Sequence, residues 1–290
     1  MTRILPSCNM SHASLALTIF TLFTASLNCC FAELKPDRSV VYKKIGNITL
    51  KLDVFEPNDL KKSDTRPAIV FFFGGGWNGG SPSQFYDQAR ALADQGMVAF
   101  SANYRVRSRH KTTPFECVKD GKSAIRWVRE NATNLGIDPH RIVASGGSAG
   151  GHVAACTGTI KGTEEAGEDL KTSSEPNAMI LFNPVLDTSK TGFGSARFSE
   201  EQQTTISPCH HIRKDLPPTI IFHGTRDTTV AFENAERFTD LMKKAGNRCE
   251  LIAFKGSKHG FFNKRKDAKA YEKTVKASIT FLQSLEYIKK

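Results

Sequence analysis

Apolar positions change their spacing from one stretch of the chain to the next, and each change predicts an element. Ser39–Ile45 and Ile48–Phe55 are two short runs separated by Gly46-Asn47, the second alternating apolar and polar residues, which predicts a β-hairpin. Pro67–Phe73 and Met97–Asn103 are nearly unbroken apolar runs, the pattern of strands buried on both faces. Between them Gln84–Gln95 has helical spacing, and Pro114–Asn131 places Val118, Ala124, Ile125 and Val128 along one helix face. Arg141–Ser145, Met179–Phe182, Thr219–His223 and Glu250–Phe254 predict four further strands, with helices over Val230–Ala245 and Asp267–Tyr287. Strands that alternate with helices predict an α/β fold, a mainly parallel eight-stranded sheet with helices on both faces and an N-terminal antiparallel hairpin.

Two stretches fall outside this alternation. Lys161–Pro176 is polar and partly acidic, a surface loop by composition. Leu186–Leu216 is irregular, with Gly192, Gly194, Pro208 and the pair His210-His211. In such a sheet an insertion lies above the strand ends, so residues 188–216 read either as a small cap over a site or as an ordinary surface loop. No repeat or linker divides the rest, which predicts one domain over residues 33–290.

The first residues predict a different role. Arg3 precedes the almost uncharged stretch Ser14–Leu27, and Cys30-Phe31-Ala32 places small residues at the end of an apolar segment too short to span a bilayer. Residues 1–32 therefore read as a secretory signal, with no stable membrane insertion after cleavage; a retained membrane anchor is the competing reading. Cys8, Cys29 and Cys30 would leave with it. The remaining Cys117, Cys156, Cys209 and Cys249 allow two disulfides in an exported protein, or four buried free thiols.

Composition narrows the function less than the pattern does. The 290 residues are 39% apolar and 24% charged, as in ordinary globular proteins. A net charge of +11 suits a polyanionic partner in principle, but Lys255, Lys258, Lys264, Arg265, Lys266 and Lys269 fit a solvated helix face. No basic motif interleaved with aromatic residues points to nucleic acid.

The chemistry gathers where apolar runs end in glycine. Gly146-Gly147-Ser148-Ala149-Gly150 fits a nucleophile elbow, a sharp strand-to-helix turn that lifts a serine hydroxyl above the sheet. A serine needs a base and a carboxylate that orients it. Asp227 and His259 each follow a predicted strand, in the order Ser, Asp, His. Asp187 competes for the acid and more naturally orders a turn. His223, His152, His210 and His211 compete for the base; His223 reads as a packed strand-end histidine and His152 as pointing away from the serine. The His210-His211 pair lacks a third ligand at metal spacing. An oxyanion hole also needs preorganised donors. Gly74-Gly75-Gly76 after Phe73 offers N–H groups with no side chain in the way, and Ala149 offers another at the helix start. These glycines lack the Lys-Ser/Thr of a phosphate loop.

Taken together, Gly74-Gly-Gly-Trp77, Asn103-Tyr-Arg105, Ser123-Ala-Ile-Arg-Trp-Val-Arg129, Leu135-Gly-Ile-Asp-Pro-His-Arg-Ile142, Gly146-Gly-Ser-Ala-Gly-Gly-His152, His223-Gly-Thr-Arg-Asp227 and His259-Gly-Phe261 resemble the α/β-hydrolases. The likeness is to the hormone-sensitive-lipase-like, or acetyl-esterase, branch, and within it to secreted carbohydrate esterases. It covers about Val40 to Phe281. It implies Ser148 as nucleophile, His259 as base, Asp227 as orienting acid, and Gly75, Gly76 and Ala149 as oxyanion donors. It further implies an exported serine esterase without metal or organic cofactor, acting on a small-molecule or carbohydrate ester with an acetyl or feruloyl group. Trp77 would stack on a sugar or wall the acyl pocket. The family's histidine before the three glycines is Phe73 here, so a hydrophobic brace for that loop is expected. A peptidase of the same fold and a non-catalytic binding module are the rival readings.

Overall fold

A computed structural model describes residues 1–2 and 34–289. The predicted signal segment therefore lies almost wholly outside the described residues, as do Cys8, Cys29 and Cys30. Eight strands, β1 (Arg38–Ile45), β2 (Ile48–Phe55), β3 (Arg66–Phe72), β4 (Val98–Ala102), β5 (Ile137–Gly147), β6 (Ala178–Phe182), β7 (Thr219–Gly224) and β8 (Cys249–Phe254), form one sheet in the order β1-β2-β4-β3-β5-β6-β7-β8. β2 pairs antiparallel with both β1 and β4, and every pairing from β4 to β8 is parallel. The α/β sheet with its antiparallel hairpin is thus the predicted one. Among the described residues five helices of two turns or more cover it: α1 (Tyr86–Ala93), α2 (Pro114–Glu130), α3 (Ala149–Thr159), α4 (Phe232–Lys244) and α5 (Ala268–Ser284).

Strand alternation divides the core into two layers. On β3, Val70 and Phe72 pack in one layer with Ala124, Ile125 and Val128 of α2 and Val153 and Ala154 of α3. Ile69 and Phe71 point the other way, against Ala89 and Leu92 of α1 and Phe281 and Leu282 of α5. Both faces of β3 are covered, which explains its unbroken apolar sequence. The helix starts are also local: Thr113 caps α2 in a capping box with Glu116, and the Asp267 side chain accepts from the Ala270 N–H to cap α5. No helix among the described residues is long and apolar enough to cross a membrane.

The strand order reverses direction at β3, since β4 lies on one side of it and β5 on the other. A parallel sheet opens a crevice at such a switch point, above the carboxyl ends of the two strands. The Gly74–Gly76 loop leaves β3 there and the Ser148 turn leaves β5.

The Lys161–Pro176 segment has no regular structure, yet it is tied down more firmly than its composition suggests. Glu165 pairs with Lys43 and Arg105, Glu164 with Lys122 and Arg126, and Glu168 with Arg126. Beneath them Asp120 of α2 is fully buried and binds Lys43 Nζ at 2.7 Å and Arg105 Nη2 at 2.8 Å. Removing Asp120 leaves these two buried cations facing chiefly the one carboxylate of Glu165, and the Arg105 N–H without its acceptor. Asp120→Ala is therefore expected to cost about 3–5 kcal/mol in urea unfolding. A loss under about 1 kcal/mol would show that solvent reaches Lys43 and Arg105.

Candidate active site

The turn at Ser148 is built by close backbone approach. At Gly150 a Cβ would stand 2.0 Å from the Phe72 carbonyl oxygen and 2.3 Å from that of Phe73, so α3 can start beside β3 only with glycine there. Ser148 itself adopts φ 55°, ψ −120°, a conformation that costs an L-residue on the order of 1–3 kcal/mol. Its N–H donates to the Phe182 carbonyl of β6 at 2.9 Å, which holds the turn in place.

Ser148, His259 and Asp227 meet above the sheet. The Ser148 hydroxyl lies 2.9 Å from His259 Nε2, and His259 Nδ1 lies 2.7 Å from Asp227 Oδ2. A carboxylate at Nδ1 places the ring proton there, leaving Nε2 free to accept the serine proton. Asp227 is itself fixed, its Oδ1 accepting from the N–H groups of Thr229 and Val230, both at 2.9 Å. Burial alone would raise this carboxyl, but the hydrogen bonds from His223, His259 and Val230 outweigh it and hold the group well below the usual carboxylate range. The group that orients the imidazole is therefore an anion at neutral pH.

The competing residues are engaged elsewhere. Asp187 pairs with Arg237 and accepts from the Ser189 N–H at 2.9 Å, the expected turn. His223 Nε2 lies 2.9 Å from the Val230 carbonyl and 3.4 Å from Asp227 Oδ2, so it braces the acid loop. His210 meets Ser207 and His211 meets the Thr204 carbonyl. Among the described residues no cluster of His, Cys, Asp and Glu could hold a metal ion. Cys117, Cys156, Cys209 and Cys249 are all buried free thiols, the second of the two cysteine alternatives.

Opposite the serine, the loop after β3 packs directly on the elbow: a Cβ at Gly74 would stand 3.3 Å from Ser148 Cβ and 3.0 Å from the Gly147 carbonyl oxygen. The Gly74 N–H donates to Gln84 Oε1 at 2.5 Å. Gly75, at φ 131°, has a conformation open to glycine alone. Phe73 is buried and stacks on Tyr104 with ring centroids 4.1 Å apart, while the Tyr104 hydroxyl donates to the Phe73 carbonyl at 2.5 Å. The brace is thus aromatic at Phe73 and polar at Gln84. Trp77 is only 1% exposed, packed against Phe193 and Phe198, so its faces are occupied by the chain itself.

Two residues of the site carry no plain signal in the sequence. Asn183, at the end of β6, accepts from the Gly260 N–H through Oδ1 at 2.9 Å and so anchors the turn that presents His259. Only its place at the end of a buried strand could have marked it. Gln84 sits in an ordinary helical pattern, and its partner comes from a loop ten residues away.

His152 is wholly buried on α3, and burial pushes its imidazole from 6.5 down to about 4. Between those pH values the unfolded chain binds a proton that the folded chain refuses, so stability falls as pH falls. Urea melts from pH 7 to pH 4 are expected to lose on the order of 3 kcal/mol through this residue. His152→Asn should flatten that part of the profile, and an unchanged slope would exclude His152 as its source.

Residues 52–193 match the family model described as BD-FAE, and residues 183–286 match that of the dienelactone hydrolase family. Esterase LipC of Mycobacterium tuberculosis is 27% identical over 230 residues, which cover 72% of this chain and 56% of that protein. The chain spans about half the length of the curated relatives it matches. Among solved structures, the apo form of Thermogutta terrifontis esterase 2 is 52% identical with a TM-score of 0.85, over 89% of this chain and 98% of that one. The propionate-bound form of the same esterase is 52% identical with a TM-score of 0.83, over 87% and 96%.

Proposed function

We propose that this chain, which belongs to the α/β-hydrolase family of carboxylesterases, hydrolyses carboxylic esters with Ser148 as nucleophile, His259 as base and Asp227 as orienting acid. The observation that carries the proposal is the continuous hydrogen-bond chain from Ser148 Oγ through His259 to Asp227, at 2.9 and 2.7 Å. Ser148 Oγ attacks the ester carbonyl carbon while His259 Nε2 takes the hydroxyl proton. The carbonyl oxygen gains charge and is received by the N–H groups of Gly75, Gly76 and Ala149. The bond to the alcohol breaks as His259 returns that proton to the departing oxygen. Water then attacks the acyl-enzyme, giving a proton to His259, and Ser148 regains it as the acid leaves. Ser148 stands at the start of α3, whose dipole also favours the anionic intermediate.

The ester is either a short-acyl one, an acetyl, or a feruloyl one, carried on a carbohydrate. Support for a short chain comes from the 52% identical esterase with propionate bound, and support for a carbohydrate from the motif resemblance. The protein is exported, a reading that rests on Arg3, the apolar stretch Ser14–Leu27 and the small residues around Ala32. The substrate is tested by comparing kcat/KM across p-nitrophenyl esters from acetate to octanoate, and across acetylated and feruloylated sugars. Highest values on octanoate would sink the short-acyl assignment. Mass spectrometry of the exported protein should find Glu33 as its first residue, and an intact Met1 would remove the signal.

A further inference from the structure

The loop that carries the oxyanion donors is held from below by one imidazole. Gly75, Gly76 and Trp77 follow one another at φ 131°, 60° and 57°. Two glycines reach these angles freely, whereas Trp77 in the left-handed region costs about 1 kcal/mol and needs a partner to keep it there. Its indole Nε1–H donates to His152 Nδ1 at 3.2 Å, and its carbonyl accepts from the Arg107 N–H at 3.0 Å. An indole can only donate, so His152 Nδ1 must be the acceptor and the ring proton sits on Nε2. That Nε2 lies 2.7 Å from the Ile206 carbonyl, which takes the proton in a hydrogen bond. Both ring nitrogens are thereby committed, and no hydrogen bond links the ring to the Ser148 hydroxyl. His152 stands on the same helix as the nucleophile, its N–H donating to the Ser148 carbonyl at 3.0 Å.

We propose that His152 is a positioning residue of the active site, a strut that sets the Gly75–Trp77 turn relative to Ser148 by accepting the Trp77 indole hydrogen bond. The proposal rests on the esterase reading of the site. Donors of an oxyanion hole act at 2.7–3.1 Å from an oxygen that gains its charge only in the transition state. A displaced turn therefore weakens transition-state stabilisation while leaving the binding of the neutral ester nearly untouched. Through the Ile206 carbonyl the same ring also rests on the 188–216 insertion, so the placement of that insertion is felt at the turn.

The test uses the full chain and the variants Trp77→Phe, His152→Phe, His152→Asn and the double variant Trp77→Phe/His152→Phe, with active sites counted by paraoxon titration. Per active site, Trp77→Phe and His152→Phe are expected to lower kcat on p-nitrophenyl acetate about tenfold, the size of one buried hydrogen bond, with KM changed less than about twofold. His152→Asn, whose amide oxygen can still accept from the indole, should recover most of that loss. The double variant should be no slower than the slower single one, because both remove the same link. Wild-type kcat per titrated site, or additive losses in the double variant, would overturn the proposal by showing that the pair only supports folding. If His152→Phe does not fold, Trp77→Phe decides alone, since it keeps an aromatic ring and removes one donor. Hydrolysis by the unsubstituted chain that survives Ser148→Ala would instead overturn the esterase reading, and the strut with it.

Discussion

Ser148→Ala is expected to lower kcat on p-nitrophenyl acetate by about 10⁵-fold or more, with KM little changed. Without the hydroxyl no covalent step is possible, and among the described residues no second nucleophile stands ready. Cys156, on the same helix, is fully buried and lies against His152 and the Ile206 carbonyl. What survives is the rate conferred by the oxyanion donors and by binding alone. The same position predicts an effect on stability of opposite sign. Since Ser148 holds φ 55°, ψ −120°, Ser148→Gly should be equally inactive yet more stable, by about 1 kcal/mol in urea unfolding. More than about 1% residual activity in Ser148→Ala would remove Ser148 as the nucleophile.

The second large effect is expected at Asp227, where a change of one atom reverses a proton. Asp227 Oδ1 accepts two backbone N–H groups, from Thr229 and Val230, so in Asp227→Asn the amide oxygen must occupy that position. The amide NH₂ then faces His259 Nδ1 and forces it to accept. The ring proton moves to Nε2, which can no longer take the serine proton. A drop of about 10⁴ in kcat at neutral pH is expected, with the protein folded and KM close to wild type. Asp187→Asn serves as the comparison. Asp187 binds Arg237 and its own turn, so its loss should change kcat less than about threefold. The reverse ranking of the two variants would reassign the acid.

Much of the sheet is legible in the sequence because each strand advertises its own burial. Pro67–Phe73 reads as a strand covered on both faces because β3 pairs with β4 and β5 and meets a helix layer on each side. The elbow is legible for a related reason: α3 crosses the end of β3 so closely that only glycine fits at Gly150. The 161–176 segment shows where local composition misleads. Its acidic residues suggest solvent, yet Glu165 answers the Lys43 and Arg105 charges, which come from positions 122 and 60 residues away. Burial of a charge depends on a partner from elsewhere in the chain, and no local window contains that partner.

The chain order Ser148, Asp227, His259 and the glycines before Trp77 are set by the sequence alone, because a strand-end loop and a tight turn are local requirements that residue type declares. Only the tertiary structure supplies the contact itself: Asp227, the acid the chain order favours over Asp187, lies 2.7 Å from His259 Nδ1, while Asp187 pairs with Arg237. It also decided the role of Trp77, whose exposed-looking place after three glycines becomes a 1% exposed indole once Phe193 and Phe198 close over it. And it turned His152 from a histidine on the far side of the helix into the support of the Gly75–Trp77 turn. Hydrogen-bond partners such as Trp77 and His152 are separated by 75 residues, and their meeting is fixed by the reversal of strand order at β3, which no single stretch of sequence records.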